Sequence, residues 1–199
     1  MDDEAVDRLV QAAQGGDPWA FGRIFDHFHL PIYRFIASRV HRPSDAEDLT
    51  QLVFVKALEA LPRYEQRGIP FGAWLFRLAR NTIIDHVRTH HEDSHLEQVA
   101  ERAHDVAGPD ELAVLRQDLY AVQLALDRLT PEQREAIDLR FFGGLSAREA
   151  AVVMGKQEGT VRGLQFRAIA ALRRSLAMDL ETDFDEGVAS SMPSFADVR

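Results

Sequence analysis

Arg77, Arg80, Asn81, Ile84 and Arg88 recur three or four positions apart, in a segment whose other side collects Phe71, Trp74, Leu75, Leu78, Ala79 and Ile83. On a helix, that spacing gathers the first group into one basic stripe about 17 Å long. Guanidinium groups bridge phosphate oxygens and a side-chain amide reads a base edge, so such a stripe suits a nucleic-acid duplex. A solvated helix face is the plainer alternative. A second basic group lies further on. Val161, Leu164, Ala168, Leu172 and Leu176 share one face at roughly 100° per residue, and Arg162, Gly163, Phe166, Arg167, Arg173 and Arg174 share the opposite one. Before it, Ser146-Ala147-Arg148-Glu149 has the form of a capping box, and Gly155 supplies a residue that tolerates a left-handed helix end. A second helix beginning near 158–160, with Thr160 in its first turn, completes helix–tight turn–helix spacing. There Arg162 and Arg167 can meet phosphates or guanine edges, and Phe166 a thymine methyl.

The segment 45–61 points to a protein partner. Its large apolar residues Leu49, Leu52, Val53, Phe54, Val55, Leu58 and Leu61 surround nearly the whole helix, which is then either enclosed or docked by one face. Leu52 and Val55 share a sector with Asp48, Gln51 and Glu59, a mixed apolar and acidic contact face, while Phe54 and Leu58 are expected inside the domain. His86, His90, His91 and His95 invite a metal reading, but two histidines a helical turn apart with only scattered carboxylates make a poor zinc site. No nucleophile elbow, glycine-rich phosphate loop or paired-carboxylate cleft is present, so neither catalysis nor a cofactor is expected.

The elements that must position these groups are helices. Asp17-Pro18 caps one, Ser44-Asp45-Ala46-Glu47 is read as a capping box opening another that Pro62 stops, and Thr130-Pro131-Glu132-Gln133 opens a third. Alternating strand patterns do not occur, so the fold class is all-α. The 199 residues allow one medium domain or two small ones. Residues 1–91 and 110–177 read as two small helical domains, joined by an acidic linker at 92–109 that closes on Gly108-Pro109. After Met178 the composition is that of an acidic, disordered tail, 178–199.

The absence of cysteine removes disulfides and thiolate metal sites and fits a reducing compartment. No apolar run approaches the ~18 residues of a membrane span, so a cytoplasmic chain without membrane insertion is expected. Net charge is −9, from 23 Lys and Arg against 32 Asp and Glu. Residues 63–91 and 155–178 are basic islands in this acidic background. A protein that binds DNA unaided is usually basic throughout, because phosphate contacts supply most of its affinity. This chain should hold DNA poorly when alone.

The stretch from Leu126 to Leu176, LDRLTPEQREAIDLRFFGGLSAREAAVVMGKQEGTVRGLQFRAIAALRRSL, resembles the −35-binding domain of extracytoplasmic-function sigma factors of the sigma-70 family. AEDLTQLVFVKAL (46–58) and WLFRLARNTIIDHVR (74–88) resemble that family's polymerase-binding and −10-recognition segments. The resemblance implies a sigma2-like and a sigma4-like domain, the latter a helix-turn-helix. It implies core RNA polymerase, through the β′ clamp helices and the β flap, and promoter DNA as partners, with an anti-sigma factor as a common third. By the same resemblance Asp48, Gln51, Leu52 and Val55 would grip polymerase. Tyr64, Gln66, Arg77, Arg80, Asn81 and Arg88 would serve the −10 element, with the loop 63–69 capturing a flipped base, and the acidic linker would thread the polymerase cleft. Thr160, Arg162, Gly163, Phe166, Arg167 and Arg173 would serve the −35 element. A helix-turn-helix regulator that binds DNA alone, and a helical adaptor without a DNA role, remain as alternatives.

Overall fold

The structure is a computed structural model that describes residues 1–40, 42–66, 68–90 and 122–189, the last twelve by backbone alone. All regular structure among them is helical. In chain order these are α1 (Asp3–Gln14), α2 (Pro18–Ala37), α3 (Pro43–Ala60), a 3-10 turn (Leu61–Arg63), α4 (Phe71–His90), a helical stretch at 122–127, α5 (Pro131–Ile137), a π turn (Asp138–Phe142), α6 (Ala147–Met154) and α7 (Glu158–Ala189). The linker expected at 92–109 lies outside the described residues, as does 190–199.

Local chemistry sets most helix starts. Asp17 accepts from the backbone N–H of Trp19 at 2.9 Å with Pro18 in the first turn. Thr130 and Gln133 exchange side-chain and backbone bonds of 3.1 and 3.3 Å ahead of α5. The box expected at Ser44 does not form. Helix α3 starts two residues earlier than that box would place it, on Pro43, with Arg42 as a cap that makes no side-chain bond. Proline has no N–H to satisfy and its φ is already helical, so it takes the first position and leaves Ser44 inside the helix. The helical backbone of α7 also continues through Ala189, where irregular chain was expected from 178.

The chain falls into two compact units, 1–105 with 135–163, and 106–134 with 164–199. In the first, α1, α2, α3 and α4 pack on one another, the π turn packs on α2, and α6 packs on α4. Ile24, Ile32, Phe35, Ile36, Val53, Leu75, Phe76 and Leu139 are almost wholly shielded from water. Each such side chain contributes roughly 1.5–3 kcal/mol on burial. The Phe35 and Phe76 rings meet edge to face at 5.4 Å and Phe25 meets Phe54 at 4.7 Å. The π turn comes so close to α4 that a Cβ on Gly143 would stand 2.7 Å from the Phe76 ring. Fully buried Asp138 pairs with Arg39 at 2.7 Å, and Arg39 also lies over the Phe35 ring. In the second unit Ala125, Leu126, Leu129, Leu164 and Ala168 are buried, and Arg128 donates to Ser175 Oγ at 2.5 Å.

Candidate nucleic-acid and polymerase interfaces

The basic stripe of α4 lies on the helix side away from Phe71, Leu75, Ala79 and Ile83, all of which are buried, while buried Ala73 and Phe76 sit one turn before Arg77 and Arg80. Arg77, Asn81 and Arg88 are exposed, and Ile84 is 38% exposed between them. Arg80 is different. Its guanidinium is paired with the Glu135 carboxylate of α5, its Nη2 lying 3.5 Å from Oε2. Glu135 itself is 8% exposed. The structure therefore puts a carboxylate on the arginine at the centre of the stripe. Sequence reading missed this partner because Glu135 lies 55 residues away along the chain.

Beside the N-terminal part of α4, Arg63, Tyr64, Glu65, Ile69, Trp74 and Arg77 line an open pocket of ≈ 280 Å³. Its aromatic members come from packing. The Tyr64 ring lies 4.8 Å from Trp74 and 5.4 Å, edge-on, from buried Phe71, and the Tyr64 hydroxyl donates to Ile69 O at 3.3 Å. Burial, and secondarily the charge of Asp7, raises the Tyr64 pKa above its ordinary value, so the phenol stays a neutral donor at neutral pH. Of the two loop residues expected to receive a base, Tyr64 is in the pocket wall. Gln66 is not among the lining residues, and its Nε2 donates to Asp7 Oδ2 at 2.6 Å. Trp74 was read from the sequence as core. It is half-buried, with its apolar body packed and one face left to the pocket, a distinction periodicity does not carry.

Helix α3 divides its apolar ring between two sides. Leu49, Val53, Phe54 and Ala57 are buried, while Asp48, Gln51, Leu52, Val55, Leu58 and Glu59 are exposed. Leu52 is 41% and Val55 52% exposed. Leu58, expected inside the domain together with Phe54, is 53% exposed and extends the stripe by one turn. Three large aliphatic side chains flanked by carboxylates on one unpaired helix face form a surface suited to a protein partner.

Helix α6 is held at both ends by local chemistry, its start by a reciprocal capping box and its end by a glycine. Ser146 Oγ accepts from Glu149 N at 3.2 Å, and the Glu149 carboxylate accepts from Ser146 N at 2.7 Å. Gly155 ends α6 at φ 65°, where a side chain would be strained. Along α7, Val161, Leu164 and Ala168 are buried, whereas Thr160, Arg162, Phe166, Arg167, Arg173 and Arg174 are exposed and Gly163 is half-exposed. Phe166 is 75% exposed. Arg162 bonds Glu158 one turn earlier at 2.6 Å, so this arginine, too, has a carboxylate beside it.

Comparison with known proteins decides between the readings these surfaces allow. Residues 24–92 match the model of Sigma-70 region 2, and residues 125–174 that of Sigma-70, region 4. Over 184 residues the chain is 38% identical to the ECF RNA polymerase sigma factor ShbA of Streptomyces griseus subsp. griseus, covering 86% of this chain and 96% of that protein. The chain belongs to the extracytoplasmic-function sigma factors. It is also 41% identical over 175 residues to the ECF RNA polymerase sigma factor BldN of Streptomyces coelicolor, covering 86% of this chain but 66% of that longer protein. The sigma factor RpoE of Bartonella quintana, solved in complex with the anti-sigma factor NepR, aligns with a TM-score of 0.62 at 27% identity, over 80% of this chain and 98% of that one. In this sigma factor the region 2 match takes in most of α2 and all of α3 and α4 with the intervening loop, and the region 4 match takes in α5, α6 and the first half of α7. Helix α1 falls outside both.

Proposed function

We propose that this sigma factor directs core RNA polymerase to a class of promoters by dividing recognition among three helices, without catalytic chemistry of its own. As an initiation factor it binds core polymerase and promoter DNA, and its chemistry belongs in the cytoplasm. The exposed stripe Asp48, Gln51, Leu52, Val55 and Leu58 of α3 grips the polymerase clamp helices. Arg77, Asn81 and Arg88 of α4 follow the −10 element. Arg80 joins them when phosphate displaces Glu135. On α7, Thr160, Arg162, Gly163, Phe166, Arg167 and Arg173 address the −35 element. An anti-sigma factor covering the α3 stripe would hold the protein inactive, and the similar sigma factor RpoE was solved in complex with an anti-sigma factor.

The pocket between Tyr64 and Trp74 carries this reading. It couples two aromatic side chains to Arg63 and Arg77 at the edge of the α4 stripe. At ≈ 280 Å³ it is at the small end of ligand pockets, a size for one unstacked base. Aromatic contact and cationic neighbours offset the few kcal/mol that extruding a base costs. Melting one strand then follows from capture. A stand-alone regulator needs no such pocket, and the family match favours the initiation-factor reading over it. The experiment is transcription by core polymerase plus this protein from a library of randomised promoters. A defined −35 and −10 pair should emerge; failure to enrich any sequence would refute the proposal.

A further inference from the structure

Helix α1 lies outside both family-matched segments, yet its polar side is spent on the loop that forms the pocket. Val6 and Val10, each 4% exposed, anchor α1 on its apolar face. Asp7 and Gln14 lie two turns apart, and so on one line of the helix about 10 Å long. The Gln14 amide donates twice, to Leu61 O at 2.9 Å and to Tyr64 O at 2.7 Å, bridging the 3-10 turn from which the loop departs. Asp7 accepts from Gln66 Nε2 at 2.6 Å and so draws that amide toward α1. Gly15 ends the helix directly after Gln14.

We propose that α1 is the positioning element of the base-capturing loop, with Gln14 fixing the Tyr64 wall of the pocket and Asp7 holding Gln66 away from it. The inference rests on the sigma-factor reading and deepens it by naming what shapes the site. Three points of attachment, at Leu61, Tyr64 and Gln66, pre-organise a segment whose described residues, 64–66 and 68–70, lie outside any helix. Pre-organisation lowers the ordering cost that base capture must otherwise meet. The identity of the captured base is then set by Tyr64, Glu65, Trp74 and Arg77, with Gln66 excluded while Asp7 holds it.

The test uses full-length protein with core polymerase on a promoter enriched from the randomised library, as intact duplex and as a template already unpaired across the −10 element. Gln14→Ala removes both bonds and should lower open-complex formation on the duplex about tenfold. Gln14→Glu sets a carboxylate against two carbonyl oxygens and should lower it further. On the pre-opened template both variants should approach wild type, because capture no longer has to drive melting. Asp7→Ala removes the acceptor that holds Gln66 and should flatten discrimination among the four bases at the captured position. Gln14 and Asp7 are outside the core, and unchanged thermal melting confirms folding. Equal losses on both templates would mark a merely structural role and overturn the proposal. So would Gln14→Glu behaving as wild type on the duplex. An inactive wild type on every template would instead bring down the sigma-factor reading, and this inference with it.

Discussion

Trp74 and Arg77 do different work in one pocket, and their substitutions should separate. Stacking on an aromatic contributes about 1–3 kcal/mol per base, so Trp74→Ala should reduce open-complex formation between roughly fivefold and a hundredfold on duplex templates. Arg77→Ala removes a cation that phosphate or base can use and should also weaken the salt dependence of promoter binding by roughly one phosphate contact. Permanganate reactivity of the −10 thymines, measured against salt, reads both. Glu135→Gln keeps the size of the side chain but removes the charge that holds Arg80. Affinity of the free protein for −10 strand DNA, measured by fluorescence anisotropy, should rise several-fold, because a binding-competent fraction raised by that factor raises apparent affinity equally. Unchanged affinity would mean that the Arg80–Glu135 pair does not compete with DNA. That pair was illegible in the sequence because its carboxylate and guanidinium come from distant helices. Arg77, Asn81 and Arg88 were legible because a single helix places them.

Single helices show the same division. The starts of α2 and α6 were readable because Asp17 with Pro18, and Ser146 with Glu149, satisfy backbone donors within four residues. The start of α3 was misread because two local signals competed and Pro43 prevailed over Ser44. The exposure of Leu58 could not be read, since α3 is apolar almost all round and only packing against α2 and α4 selects the buried side. Three predictions belong here. Leu52→Ala with Leu58→Ala should weaken binding to core polymerase by tenfold or more while leaving thermal stability within roughly 0.5 kcal/mol, because surface truncations cost the fold little. Val53→Ala on the buried side should destabilise by about 1–3 kcal/mol instead. Ser146→Ala should cost about 1 kcal/mol through loss of the α6 cap, seen as a lower Tm. Any effect on −35 binding should follow from fraying of the first turn of α6.

At the scale of the whole molecule, the charge pattern and the site geometry agree. The chain carries a net −9, and two of its basic-face arginines, Arg80 and Arg162, already have carboxylates beside them. An acidic chain with two of its basic-face arginines already compensated should bind duplex weakly and with a reduced salt slope. On the proposed function, polymerase carries both surfaces to one promoter, where the second engagement becomes effectively intramolecular. Weak separate grips then add to a specific one. The all-helical architecture and the helix-turn-helix segment were legible because capping residues and apolar spacing are local. The division of the described chain into its two units, with 135–163 alongside the N-terminal helices, was not, because it is set by contacts such as Arg39 with Asp138 between distant segments.

The most direct measurement of that claim is the affinity of one enriched promoter duplex for the purified protein, alone and with core polymerase, at the same salt concentration. Binding should be micromolar or weaker for the protein alone and nanomolar for the complex. Tight, sequence-specific binding by the isolated chain, unchanged when polymerase is added, would contradict it.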